Sequence, residues 1–137
     1  MAFTEVTNDI EKIGPDKGGA RGFTAGEDVI AGQVVKLNSD DSVQPSDTDG
    51  EETYGVVTQT VSSGDEVQVA GPGTVVRFTA GEAVSTGVIT SDGGTGEEGQ
   101  VADADTTGDH VLGIAFQSAG GQGDTLLGIV LPGGQIN

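Results

Sequence analysis

His110 is the only histidine of the chain, and no cysteine accompanies it. A Ser-His-Asp relay would have to run through His110, with an acid such as Asp109 and one of the many serines. No Gly-x-Ser-x-Gly turn presents a serine for that role, so the imidazole is expected at the surface or at a strand edge and no catalysis is expected. One imidazole without thiolates cannot build a structural zinc site. Oxygen ligands are plentiful, and two runs carry acidic spacing suited to a hard cation: Asp47-x-Asp49-Gly50-Glu51-Glu52 and Asp103-x-Asp105-x-x-Gly108-Asp109. Asp47, Asp49, Asp103, Asp105 and Asp109 are the candidate calcium ligands. Neither run completes a twelve-residue calcium loop or is flanked by helical patterns, so solvated loops that attract hydrated cations loosely are the simpler expectation. Gly71-x-Gly73 and Gly120-Gly121-x-Gly123 precede neither Lys-Ser nor Lys-Thr. They read as turn glycines, and no cofactor is expected.

The elements that would position these groups are duplicated. Phe23-Thr24-Ala25-Gly26-Glu27 returns as Phe78-Thr79-Ala80-Gly81-Glu82, and Tyr54-Gly55-Val56-Val57 as Leu112-Gly113-Ile114-Ala115. Gly64-Asp65-Glu66-Val67 returns as Gly123-Asp124-Thr125-Leu126, and both copies end at a Pro-Gly, Pro72-Gly73 and Pro132-Gly133. The offset grows along the chain, which places the added residues in Gly-rich loops, where insertion costs little. Two copies are too few for a solenoid and suggest one compact body of two related halves.

Seventeen valines against five leucines, with 25 glycines and frequent Asp, Ser and Thr clusters, favour short strands joined by tight turns. Strands are predicted over 29–30, 33–37, 42–44, 54–61, 66–70 and 74–78, then over 87–90, 100–102, 110–117 and 125–131. The predicted fold is all-β, a compact barrel or sandwich, since closure removes sheet edges. The body is placed at 22–137, with halves at about 22–75 and 76–137.

Acids outnumber bases 22 to five, for a formal charge of -17. Neutralisation of nucleic-acid phosphates is therefore excluded as a binding mode. Evenly spread over a folded surface of roughly 6,500 Å², the excess acids would stand about 20 Å apart, beyond a Debye length of ~8 Å. Repulsion therefore comes from clusters such as Asp40-Asp41, Asp47 to Glu52, Glu97-Glu98 and Asp103 to Asp109. Such lysine-poor acidity reads as adaptation to high salt. No run approaches the roughly 20 apolar residues of a membrane span, and Met1-Ala2-Phe3-Thr4-Glu5 lacks the features of a secretory signal. Synthesis in a cytoplasm, without membrane association, is the expectation.

Residues 1–21 differ from the rest. They hold Lys12, Lys17 and Arg21, three of the five cations. Val6, Ile10 and Ile13 have helical spacing, Asn8 is placed to cap a short turn, and Gly14-Pro15 would end it. The segment reads as an N-terminal arm that orders on a partner.

Ala31-Gly32-Gln33-Val34-Val35, Tyr54-Gly55-Val56-Val57, Gly64-Asp65-Glu66-Val67-Gln68-Val69 and Gly71-Pro72-Gly73 follow one another in this order. The second half repeats the order in worn form through Thr86-Gly87-Val88-Ile89, Leu112-Gly113-Ile114-Ala115 and Gly123-Asp124-Thr125-Leu126. The pattern resembles the small capsid decoration, or head cement, proteins of tailed viruses over roughly residues 22–134. The resemblance implies a β-rich structural virion protein, not an enzyme, that sits on the outer capsid surface. It implies a homotrimer at local three-fold positions that cements the major capsid protein. It makes residues 1–21 the capsid-reaching arm, with Phe3, Val6, Ile10 and Ile13 as apolar anchors and Lys12, Lys17 and Arg21 as cations. The acidity departs from most bacterial-virus members and points to a virus of a halophilic archaeon. The alternative is a β-rich binding module, carbohydrate-binding or fibre-associated. Tyr54, Phe78 and Phe116 lie in strand patterns and are expected in the core, which leaves little aromatic surface for sugar stacking.

Overall fold

The computed structural model describes residues 20–93 and 98–137. Its first five strands are β1 (Ala20–Ala25), β2 (Val34–Ser39), β3 (Ser42–Pro45), β4 (Gly55–Val57) and β5 (Glu66–Ala70). They close into a barrel in the order β1-β3-β2-β4-β5. β1 runs parallel to β3, and the other neighbours are antiparallel. The next five are β6 (Val75–Thr79), β7 (Gly87–Asp92), β8 (Gln100–Asp103), β9 (Gly113–Ala115) and β10 (Thr125–Val130), in the order β6-β10-β9-β7-β8. A parallel bridge from Ala80 to Val101 brings β8 back beside the end of β6. It matches the parallel pair Ala25–Val43 that closes the first barrel. The predicted all-β fold of two related halves is thus the observed one.

The repeat extends to individual hydrogen bonds. Ala25 and Ala80 donate their N–H groups to Asp65 and Asp124 at 2.9 and 2.8 Å, and Tyr54 and Leu112 donate theirs to Val35 and Ile89 at 2.9 Å in both cases. Gly64 and Gly123 turn the chain at φ of 93° and 92°, a region that side chains rarely enter.

Two of the predicted strands are several residues longer than the observed ones. The run 54–61 contracts to β4, and 110–117 contracts to β9. A glutamine stands where each breaks off: Gln59 Oε1 accepts the N–H of Gln68 at 3.2 Å, and Gln117 Oε1 accepts that of Leu127 at 3.0 Å. A side-chain amide thus replaces the ladder partner that a continuing strand would have supplied. Residues 29–30 form no strand, only a bridge from Val29 to Val61. β1 in turn has no counterpart in the prediction. Its sparse apolar content gives a weak signal, but pairing to β5 on one side and β3 on the other satisfies its backbone.

The valine doublets have a structural reason. Val35, Val57 and Val69 point into the first barrel with Phe23, Val29, Val43 and Val67. Their neighbours Val34, Val56 and Ala70 point the other way and join a second core with Phe78, Ile89, Leu112, Leu126 and Val130. Strands buried on both faces read as continuous apolar runs, because alternation is lost when each face has its own core. Each such valine contributes about 1.5–3 kcal/mol as an upper bound, and the outward row welds the halves together.

Candidate functional site

The loop after β3 is held as a rigid hook. Glu51 Oε2 accepts the Ser46 hydroxyl at 2.9 Å and the N–H groups of Asp47 and Thr48 at 2.8 and 3.0 Å. Lys36 Nζ donates to Asp47 Oδ1 at 2.8 Å and to Glu51 Oε1 at 2.9 Å. The bond from Lys36 holds the Asp47 carboxyl below its usual range. The bond to Asp47 raises the ammonium in return, although partial burial opposes it. Asp47 is therefore committed to an ion pair.

The hook lies against the second half. Gly50 donates its N–H to Ser91 O at 2.9 Å, and the Ser91 hydroxyl donates to Thr48 O at 3.0 Å and meets the Ser46 hydroxyl. His110 donates its N–H to Gly50 O at 2.9 Å, and its ring Nδ1 lies 3.0 Å from the same oxygen. The His110 carbonyl accepts the Thr90 hydroxyl at 2.6 Å. His110 is thus a half-buried residue of the seam between the halves.

Beside this seam the two acidic runs meet. Asp49, Asp103, Asp105 and Asp109 line one cleft of about 180 Å³ together with Glu82 and Asp92, while Asp47 lies outside it. Several of these carboxylates already accept hydrogen bonds: Asp103 Oδ1 accepts Ser85 N–H at 2.9 Å, Asp109 Oδ2 accepts Thr106 N–H at 3.1 Å, and Asp105 Oδ1 accepts the Thr106 hydroxyl at 3.2 Å. Among the described residues no group of three or more His, Cys, Asp or Glu is arranged to hold a metal ion. What the cleft does is concentrate negative potential, which raises the local density of hydrated cations.

A second surface has opposite character. On the outward face of β7, β9 and β10, Val88 pairs with Ile114 and Ile114 with Ile129; Ile129 in turn pairs with Val75 of β6. Val88 is 42% exposed and Ile114 38%. Phe116, expected in the core, is instead 52% exposed. It follows inward-facing Ala115 by one residue, and alternation turns it to the outside. Phe78 is fully buried as expected, and half-buried Tyr54 meets buried Phe23 edge-on, with ring centroids 5.3 Å apart. The outward apolar row had a signal in the sequence, the apolar positions on both parities of 111–116. Only the pairing revealed that one parity is left open among the described residues.

No family model matches the chain, and no curated protein matches it in sequence. Among solved structures it is similar to the head fiber gp8.5 N base of bacteriophage phi29, with a TM-score of 0.62 at 20% identity. The match covers 81% of this chain and 92% of that one. The two share a fold. At that identity the likeness speaks to architecture and not to individual residues.

The arm candidates Phe3, Val6, Ile10, Lys12, Ile13 and Lys17 lie outside the described residues. Arg21 falls inside β1, where its backbone pairs with Val69. The arm expected over 1–21 therefore overlaps the first strand by two residues.

Proposed function

We propose that this protein is a non-enzymatic structural component of a virion that decorates and stabilises the outer surface of an icosahedral capsid. The observation that carries the reading is the fold shared with a phage head fiber base over most of both chains. The turn-and-strand pattern that resembles capsid decoration proteins points the same way. In this reading the protein is made in the host cytoplasm and binds the major capsid protein as a homotrimer at local three-fold positions. The arm ahead of β1 makes the contact, with Phe3, Val6, Ile10 and Ile13 as anchors and Lys12 and Lys17 as cations, and Arg21 within β1 adds a third cation beside it. The acidic body stays hydrated in high salt, as suits a virus of a halophilic archaeon. Three arms engaging one lattice would raise avidity by ~10² or more over a single arm.

The test is attachment to expanded capsids by the full chain and by a chain starting at Ala20, which keeps all of β1. The full chain is expected to sediment with capsids and the truncated chain to remain free. Equal occupancy by both would overturn the arm as the attachment element, and no attachment by the full chain would overturn the capsid reading.

The likeness to a fiber base supports a second reading, in which the body is a fibre-associated virion domain. Electron microscopy of particles with and without the protein separates the two, because loss of a projecting fibre would accompany loss of the protein only in the second.

A further inference from the structure

The second half exposes the face that the first half buries. In the first half the outward row Val34, Val56 and Ala70, joined by β2–β4 and β4–β5 pairing, is 1%, 0% and 0% exposed because it packs on the second half. The register makes Val88, Ile114 and Ile129 the equivalent row. Val88 and Ile114 are 42% and 38% exposed, and Phe116 beside them is 52% exposed. Next to this row lies Phe116–Leu127–Arg77, joined by a 2.8 Å bond from Phe116 N–H to Leu127 O and by β10–β6 pairing. Its first-half equivalent is Thr58–Gln68–Gly22, which is polar. Apolar side chains thus accumulate in the copy whose outward face no sister half covers. A contiguous apolar row on an otherwise acidic body marks an interaction face.

The matching receptor lies mostly on the first half, with Pro132 of the second half at its edge. Where the first half docks on the second, its outward row shares a core with Leu112 and its 46–51 loop meets Ser91, leaving these two 2% and 1% exposed. Their first-half equivalents by register are Tyr54 and Leu37. Both line an open groove of about 370 Å³ with Lys36, Glu52, Thr53 and two prolines, and Leu37 is 57% exposed.

We propose that the Val88–Ile114–Ile129 face of one copy docks in the Leu37–Tyr54 groove of a second copy, repeating between chains the relation that joins the halves within one. The contact is head-to-tail, so it propagates until the rotation closes a ring. This deepens the oligomer of the proposed function and rests on that reading, but it is measured without capsids.

The test is the mass of the full chain by light scattering and sedimentation in molar potassium chloride. The wild type is expected to associate. Ile114→Asp and Leu37→Asp, both at exposed positions, are each expected to weaken association by about 30-fold or more, the size of a hot-spot residue. Mixed together they are expected to give a dimer, since one variant keeps the groove and the other keeps the face. Val88→Thr with Phe116→Ser serves as the milder alternative should Ile114→Asp fold poorly. A monomeric wild type, an unchanged mass for Ile114→Asp, or a mixture that stays monomeric would each overturn the proposal. Retained capsid attachment in the monomeric case would overturn this contact and leave the capsid reading standing.

Discussion

Gly81 donates its backbone N–H to the carbonyl of Val101 at 2.8 Å, and Gly26 makes the same bond to Val43 at the same length. The parallel closure of each half therefore survived duplication as a unit, and substitutions at paired positions should have paired effects.

Gly55 and Gly113 are the sharpest case. A Cβ at either would strike a carbonyl oxygen of the neighbouring strand, that of Ala70 or Ile129. Gly55→Ala and Gly113→Ala are each expected to destabilise by about 3 kcal/mol, because the obstacle is backbone that cannot rotate away. Gly121→Ala, with open space around it, is expected to stay within about 0.5 kcal/mol. Urea midpoints of the three variants check this.

Gln100 is fully buried, and among the described residues neither of its amide atoms meets a hydrogen-bond partner. Gln100→Met keeps the volume and removes the desolvation penalty, so stability is expected to rise by about 1–3 kcal/mol. Thermal melting reads the result, and a lower midpoint would mean that the amide is in use.

Lys36→Met should loosen the 46–51 hook by less than about 1 kcal/mol, since both Lys36 and Asp47 are partly open to water. The lowered Asp47 gives a contribution present above the ordinary carboxylate range near pH 4 and lost as pH falls through its folded value. The raised Lys36 gives one present below about pH 10 and lost as pH rises through its folded value. The difference between wild type and variant should therefore be greatest from about pH 5 to 9 and shrink at both ends, which melting curves across that range would reveal.

High salt is expected to raise the melting temperature relative to dilute buffer, since the cleft gathers Asp49, Glu82, Asp92, Asp103, Asp105 and Asp109 on one surface. Asp49→Asn with Asp105→Asn is expected to flatten that dependence. A wild-type midpoint indifferent to salt would remove the halophilic reading.

Calcium is expected to bind loosely. Isothermal titration in strong potassium chloride should give no saturable heat, in keeping with the absence of a metal-ready group among the described residues. Saturable heat lost in the Asp49→Asn and Asp105→Asn variant would instead locate a site in the cleft.

By itself the sequence determined the all-β class, the duplication and most strand positions, because these rest on local facts: β-branched residues, turn glycines and a repeated pentapeptide. Local pattern could not determine where a strand stops when a distant glutamine takes over its ladder, as Gln59 and Gln117 do for Gln68 and Leu127. Nor could it bring Asp49 beside Asp105, or separate Asp47 from them, since loop position follows from strand order and not from spacing. Val34 and Val88 make the same point. They are equivalent in the repeat and alike in chemistry, yet one is 1% exposed and the other 42%. Their difference lies in which half has a neighbour packed over it, and only the tertiary structure assigns that.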